Sequence, residues 1–313
     1  MHASEHSRTA EFMALFRALE TARDPTTRLF NDPWAAGFLS RKFRLVTRLA
    51  RWPFGASLLA QIIDRRWPGA RSSGVARTRY IDDTIIRALG TGIDQIVLLG
   101  AGFDCRPYRL HGMGKAQVFE VDHPNTSRAK QARLQAVLGR LPASVRFVAL
   151  DFNRQSLDQG LREAGLDLAR PVFFLWEGVT QYLDAAAVDA TFRYVSAAAP
   201  GSQILFTYVD RRVLEPESGY AGIEAISSAL ANAAEPWIFG FDPAALPHYL
   251  EARGLDLVSD LGAAAYRALY IERADRLRGY EFYRVALADI TGREAGEAAD
   301  RNHDSRAEHQ AHA

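Results

Sequence analysis

The hydrophobic rhythm of the chain changes near residue 95. Before it, apolar residues recur at helical spacing. Phe12, Leu15, Phe16 and Leu19 predict a helix from Ser7 to Thr21. Tyr80, Ile81, Ile85 and Leu89 share one stripe of a helix from Val75 to Leu89, ended by Gly90-Thr-Gly92. Between them, Asn31-Asp-Pro-Trp reads as a turn capping a helix into Leu39, and Arg71-Ser-Ser-Gly74 as a break. From Gln95 onward, short apolar runs alternate with helical segments. Strands are predicted at Gln95–Leu99, Gln117–Val121, Val145–Leu150, Val172–Trp176 and Gln203–Val209. Helices fall at Pro124–Leu138, in the stretch ending at Ala164, and at Asp184–Ala198. Unbroken runs such as Ile96–Leu99 suit strands buried on both faces, so the pattern predicts an α/β fold with a parallel sheet.

After Asp210 the rhythm loosens. Residues 211–240 carry Tyr220, Trp237, Ile238 and Phe239 among polar positions and read as a cap over the strand ends. A helix over Pro243–Arg253, a strand over Leu255–Leu261 and a last, antiparallel strand over Glu281–Ala288 complete the pattern. Beyond Thr291 large apolar residues vanish, which predicts a disordered tail. The expected organisation is therefore an N-terminal helical extension or lid at 1–92, a catalytic domain at 93–290 with a cap insertion near 211–242, and a tail at 291–313.

Composition narrows this only a little. A 313-residue chain that is 48% hydrophobic can bury a large core. Its 38 basic and 37 acidic residues leave a net charge of +1, which gives no electrostatic footprint for nucleic acid. The single cysteine excludes an internal disulfide and suits a reducing compartment; Cys105 reads as a small packing residue. No apolar run reaches the roughly 18 residues of a membrane span, no secretory pattern opens the chain, and the expected location is cytoplasmic. Arg41, Lys42, Arg44, Arg48 and Arg51 alternate with Leu45, Leu49, Trp52, Phe54 and Leu58. That pattern fits a helical lid with a solvated basic edge, and it also fits an interfacial amphipathic helix.

The first strand runs into Gly100-Ala-Gly102, where glycine leaves room for a ligand against the backbone. A dinucleotide fingerprint would need a third Gly or Ala where Cys105 stands, and Asp104 sets an acid where a pyrophosphate would lie. S-adenosylmethionine (SAM), which has no phosphate and carries a sulfonium, tolerates that acid. Asp122 ends the second strand 20 positions after Gly102, where an acid can accept both ribose hydroxyls; its competing role is a helix cap before Pro124. Glu120 points to the opposite face and reads as structural or as a back-up for Asp122. Asp151, past the third strand, can accept the adenine amino group while Phe152 packs the ring, or it can cap the next helix.

Several segments together resemble the class I SAM-dependent methyltransferases related to leucine carboxyl methyltransferase, and more narrowly a bacterial branch that includes polyketide carboxyl methylases. They are Ser7-Arg-Thr-Ala, Arg77-Thr-Arg-Tyr-Ile-Asp-Asp83, Val97 to Leu110, Phe119-Glu-Val-Asp-His-Pro124, Asp151-Phe152 and Trp176-Glu-Gly-Val-Thr-Gln-Tyr-Leu183. The resemblance implies a Rossmann-like seven-stranded sheet with its last strand antiparallel. It implies SAM as methyl donor and S-adenosyl-L-homocysteine as product; the residues themselves show no metal-ligand spacing, so no metal is expected. It also implies the ribose role for Asp122 and a cofactor-contacting acid at Glu177, whose charge the cofactor would compensate.

Arg77 is the best two-pronged donor for the methionine carboxylate, with Arg79 as rival and Arg17 as helper. Arg106 and Arg109 should pair with Asp104 or its neighbours. Tyr182 could orient the acceptor or belong to the core. The leading expectation is O-methylation of a small-molecule carboxylic acid, which is ionised at neutral pH and needs no base. Methylation of a phenol or alcohol would need a base such as His123 or His248. Of the eight histidines, His2, His6, His303, His309 and His312 lie in the polar ends, and His111, His123 and His248 lack ligand spacing. An NAD-type oxidoreductase, a non-catalytic SAM-binding protein and a protein C-terminal methylase are the other readings.

Overall fold

The computed structural model describes residues 8–50, 52, 54–150, 156–215, 219–220, 223, 236–274 and 279–292. A seven-stranded sheet runs through it in the order β3-β2-β1-β4-β5-β7-β6. The strands are β1 (Gln95–Leu99), β2 (Gln117–Asp122), β3 (Val145–Ala149), β4 (Val172–Trp176), β5 (Gln203–Val209), β6 (Leu255–Leu261) and β7 (Tyr283–Ile290). The first five pair in parallel, and β7 lies antiparallel between β5 and β6. The expected strands and the antiparallel last strand are all present.

Each face of the sheet has its own helices. The helices of the N-terminal block are α1 (Arg8–Thr21), α2 (Arg41–Leu49), α3 (Gly55–Arg66) and α4 (Ala70–Gly90). Those inside the sheet domain are α5 (Arg106–Arg109), α6 (Pro124–Leu138), α7 (Leu157–Glu163), α8 (Ala185–Ser196), α9 (Leu246–Glu251) and α10 (Ala263–Ala268). Val97, Leu99, Phe119 and Phe174 face Leu161 of α7, Phe192 of α8 and Leu250 of α9. Ile96, Leu98, Val118 and Phe173 face Ile81 and Ile85 of α4 and Tyr266 of α10. This alternation explains why β1 and β4 are buried at every position and, Gln95 apart, apolar throughout. A third cluster joins α1, Phe38 and Ile63 to Phe103, Cys105 and Leu134 of α6, so the N-terminal block packs beside the glycine turn.

Three expectations need correction. Arg71–Gly74 does not break a helix: α4 runs through it from Ala70. A Cβ on Gly74 would lie 3.1 Å from Met13 Cε and 3.2 Å from Phe16 Cδ2, so this glycine serves close packing of α1 on α4. The Asp32 turn does cap, accepting from Ala35 N at 3.0 Å, but it starts only a 3-10 turn over Ala35–Phe38. The helix expected over Pro243–Arg253 shortens to Leu246–Glu251, and α10 had no predicted counterpart. Most of the cap at 216–235 and the tail from 293 lie outside the described residues.

Under the sheet edge, Lys130 of α6 is buried 2.8 Å from Glu120 of β2, which also accepts from the Tyr108 hydroxyl at 2.7 Å. Glu120 is thus structural, as strand alternation predicts. Burial raises its pKa, with Lys130 and Tyr108 opposing that rise. Lys130→Met would leave this carboxylate buried without its cation and should cost roughly 3 kcal/mol. Adding Glu120→Gln, which keeps an acceptor for Tyr108, should recover more than half of that loss in urea unfolding. An additive double variant would refute the coupling.

Candidate active site

The register of the sheet assembles the site. Leu99 pairs with Val121 and Leu98 with Leu175, so one further residue brings Asp122, and two bring Glu177, level with Gly100. The glycine turn is tied to β2 by bonds from Gly100 N and Ala101 N to Val121 O at 2.9 and 3.0 Å. Asp122 accepts from Gly102 N at 2.6 Å through one oxygen and from His123 N at 2.7 Å through the other. Lys130 Nζ donates to Ala101 O at 3.2 Å, and Arg17 Nη2 to Phe103 O at 2.6 Å. Gly100 has φ +73, and a Cβ there would meet Val179 Cγ2 at 2.4 Å. Gly102 has φ +41, and a Cβ there would enter open space, with only Gly100 O at 3.8 Å.

Beside the turn lies a buried ion network. Arg106 donates to Asp82 Oδ1 at 2.8 Å, Asp104 Oδ2 at 2.6 Å and Glu177 Oε2 at 2.8 Å. Arg77 Nε donates to Glu177 Oε1 at 2.9 Å, and its guanidinium stacks 4.5 Å above the Tyr283 ring. The Tyr283 hydroxyl lies 3.2 Å from Thr207 Oγ1, which accepts from Gly178 N at 2.8 Å. Burial works against each charge, and the opposite charges decide the outcome. Burial would raise the Asp104 pKa, yet Arg106 and Lys130 bring it down to about 2. Glu177 is likewise held below its usual range, with Arg106 and Arg77 outweighing burial. Burial opposes the Arg77 charge, but Tyr283 and Glu177 raise its pKa. Asp122 differs: burial raises its pKa and the two backbone N–H groups only moderate the rise.

Gly100, Gly102, Asp122, Glu177 and Arg77 therefore come together. Asp151 and Phe152 lie outside the described residues. Glu177 is compensated by two arginines of this chain, not left for a cofactor to neutralise, which corrects that expectation. Arg17 pairs with Asp32 at 2.9 Å and braces the glycine turn, away from a carboxylate-binding role. Arg79 pairs with Asp83 at 2.9 Å and is no rival to Arg77. Arg106 does bind Asp104, whereas Arg109 binds Asp82 at 2.7 Å. Cys105 is fully buried, and burial raises its pKa, as suits a packing thiol. Tyr182 is half-buried in the turn after β4, with its hydroxyl oxygen inside the protein. His248 is exposed on α9. His123 caps α6, its Nδ1 accepting from Asn125 N at 3.2 Å. The sequence reading missed Asp82 and Tyr283, whose partners lie far along the chain.

A model of the leucine carboxyl methyltransferase family matches residues 10–196. The chain belongs to that family. Membership makes it a methyltransferase that uses SAM as methyl donor. It is 31% identical over 282 residues to a protein of Mycolicibacterium gilvum, covering 88% of this chain and 82% of that one. A Frankia alni protein is 35% identical over 233 residues, covering 74% and 76%. Both bear the name "Putative S-adenosyl-L-methionine-dependent methyltransferase". The fold is shared with a DUF574 family protein of Streptomyces avermitilis, at TM-score 0.55, 16% identity and coverage of 88% of this chain and 96% of that one. It is shared equally with a Thermobifida fusca protein described as a "putative methyltransferase", at TM-score 0.55, 18% identity and 89% and 94% coverage.

The residues suit the donor this family uses. Each Asp122 oxygen accepts one backbone N–H and keeps a lone pair for a hydroxyl. The open side of Gly102 gives room against the backbone. Arg77 spends Nε on Glu177, while among the described residues its Nη2 meets only the soft Met13 sulfur at 3.6 Å, so it retains donor capacity for a carboxylate.

The low Asp104 pKa yields a stability prediction. A depressed carboxylate contributes stability that is complete above its unfolded value and is lost as pH falls through its folded value. With 3.8 moved to about 2, that contribution is about 2 kcal/mol. Asp104→Asn should therefore be less stable than the parent by about 2 kcal/mol near neutrality. The gap should hold down to the ordinary carboxylate range and narrow below it in denaturant titrations. A gap independent of pH would refute the charge argument.

Proposed function

We propose that this methyltransferase transfers its methyl group to a carboxylate oxygen of a small-molecule acid. The observation that supports this most directly is the protonation chemistry of the strand tips. Asp104 and Glu177, both held low by Arg106, are poor bases. His123 uses the Nδ1 lone pair for its cap, so its neutral form carries the proton on Nε2 and cannot take another without giving up the cap. Asp122, the acid at these tips whose pKa burial raises, is given to the ribose hydroxyls in this reading, and none of Asp104, Glu177 and His123 is set up to deprotonate a phenol or alcohol. A carboxylate acceptor arrives already ionised, and catalysis reduces to orientation and exclusion of water.

In this reading Gly100 and Gly102 let the adenosyl group lie against the turn. Asp122 takes the ribose hydroxyls, and Asp151 with Phe152 takes the adenine. Arg77 takes the methionine carboxylate. Glu177 fixes Arg77 from below and sets a negative charge beside the donor. SAM, when bound, supplies an electrophilic methyl on sulfur. The protein's part is to hold the acceptor oxygen in line with that carbon and to keep water from it.

Two measurements test the proposal. Asp122→Ala should weaken SAM binding by roughly 10–100-fold in calorimetry, as charge-assisted hydrogen bonds to the donor are lost, and should also lower the unfolding midpoint, since Gly102 N and His123 N lose their acceptor. Incubation with methyl-labelled SAM and a metabolite extract should give a product whose label is lost in mild alkali, as an ester requires. An alkali-stable product would replace the carboxyl reading with an ether-forming one. SAM binding without turnover on any acid fraction would replace it with a binding protein.

A further inference from the structure

Six large apolar side chains on α2, α3 and the turn between them face away from the core. Leu45 is 58% exposed, Leu49 52%, Trp52 74%, Phe54 86%, Leu58 60% and Ile62 51%. The inner face of the same hairpin is already filled. Phe43 and Trp67 pack on Phe12 of α1 with ring centroids at 5.6 and 5.8 Å, and Ala50 and Ile63 are buried. The outward six are therefore not needed to seat the hairpin. Around them stand Arg41, Lys42, Arg44, Arg48, Arg65 and Arg66, all exposed. The sequence from Arg41 to Ile63 contains no acidic residue, and Asp64 beyond it is taken by Arg71 at 2.7 Å.

We propose that this hairpin docks the protein on an anionic lipid surface. Trp52 and Phe54 enter the headgroup region, and the surrounding guanidinium groups meet lipid phosphates. Aromatic and leucine side chains ringed by arginine suit that interface, where one medium receives both the apolar area and the charges. The attraction is local, so the net charge of +1 does not oppose it. A second copy of the chain fits poorly, because a two-fold contact through this patch would set the same arginines against each other. A soluble acidic partner would answer the charges. It would still have to receive an aromatic pair standing at the end of a hairpin turn, which a soft interface accepts without a matching pocket. No described helix is long and apolar enough to cross a membrane, so the contact is peripheral. The proposal does not depend on the identity of the methyl acceptor.

The test sediments the full-length chain with vesicles of phosphatidylcholine alone and of phosphatidylcholine mixed with phosphatidylglycerol. The protein should bind the mixed vesicles, and binding should weaken as salt rises. Trp52→Ser/Phe54→Ser should lower partitioning roughly tenfold or more through lost apolar insertion. Arg44→Glu/Arg48→Glu should lower it by a similar factor through lost attraction. Circular dichroism and SAM affinity should stay those of the parent in both variants, since none of the four residues touches the strand tips. Failure of the parent to bind phosphatidylglycerol vesicles overturns the proposal. So does equal, salt-insensitive binding to both vesicle types, or undiminished binding by the variants. Self-association abolished by Trp52→Ser/Phe54→Ser without vesicle binding would make the patch a contact between copies. Retention on heparin without vesicle binding would make it a site for soluble polyanions.

Discussion

Arg106 is the group on which the rest of the site depends. Its side chain is 4% exposed and its guanidinium reaches three carboxylates carried by three separate pieces of chain: Asp82 on α4, Asp104 in the glycine turn and Glu177 at the tip of β4. A cation this far from water is tolerable only when its donors are matched by anions in good geometry, and removing one partner strands the others. The fork shape of arginine is what makes three such contacts possible; a lysine would offer a point charge to the same carboxylates. By binding all three, Arg106 fixes the height of the glycine turn relative to the neighbouring strand tip. It also fixes Glu177, which in turn orients Arg77. The position of Arg77 is thus set by a residue on another piece of chain.

The network extends in both directions and closes its own charge. Arg17, Arg109, Arg106 and Arg77 face Asp32, Asp82, Asp104 and Glu177, four of each sign. On the proposed binding mode, a frame without net charge receives the amino-acid end of SAM, itself a zwitterion, without leaving an uncompensated ion in the interior. Had Glu177 stood alone, as the sequence suggested, burial would have driven it towards the neutral acid before any donor arrived. The two arginines keep it ionised in the free protein. The site is therefore electrostatically prepared, and binding need not reorganise protons around it.

The central strands were legible in the sequence because they are buried on both faces and read as apolar runs; Gln95–Leu99 and Val172–Trp176 agree with the structure to the residue. Gly100, Asp122 and Glu177 were legible for the same reason, each standing just past such a run or ending it. The partners of these residues were not. Arg77 and Glu177 are 100 positions apart, and Arg106 and Glu177 are 71 apart, so no local spacing announces their contact. Tyr283, which stacks on Arg77, comes from the far antiparallel strand and looks like any strand tyrosine. Gly74 misled for a different reason. Glycine in a helical pattern signals a break or a close approach with equal force, and only the position of α1 tells the two apart.

That same helix ties the surface to the site. Within about a turn and a half, α1 presents Phe12 to Phe43 and Trp67 of the exposed hairpin, Met13 to Arg77 and to the notch at Gly74, and Arg17 to Asp32 and the Phe103 carbonyl. These contacts are made by side chains of one hydrogen-bonded rod, so they move together. The notch at Gly74 leaves little slack, since even a methyl group there would press on Met13 and Phe16. The N-terminal block is better understood as the wall that completes the strand-tip site than as an appendage to the sheet domain. Its outer, apolar and basic face is the part of that wall for which the fold itself has no use.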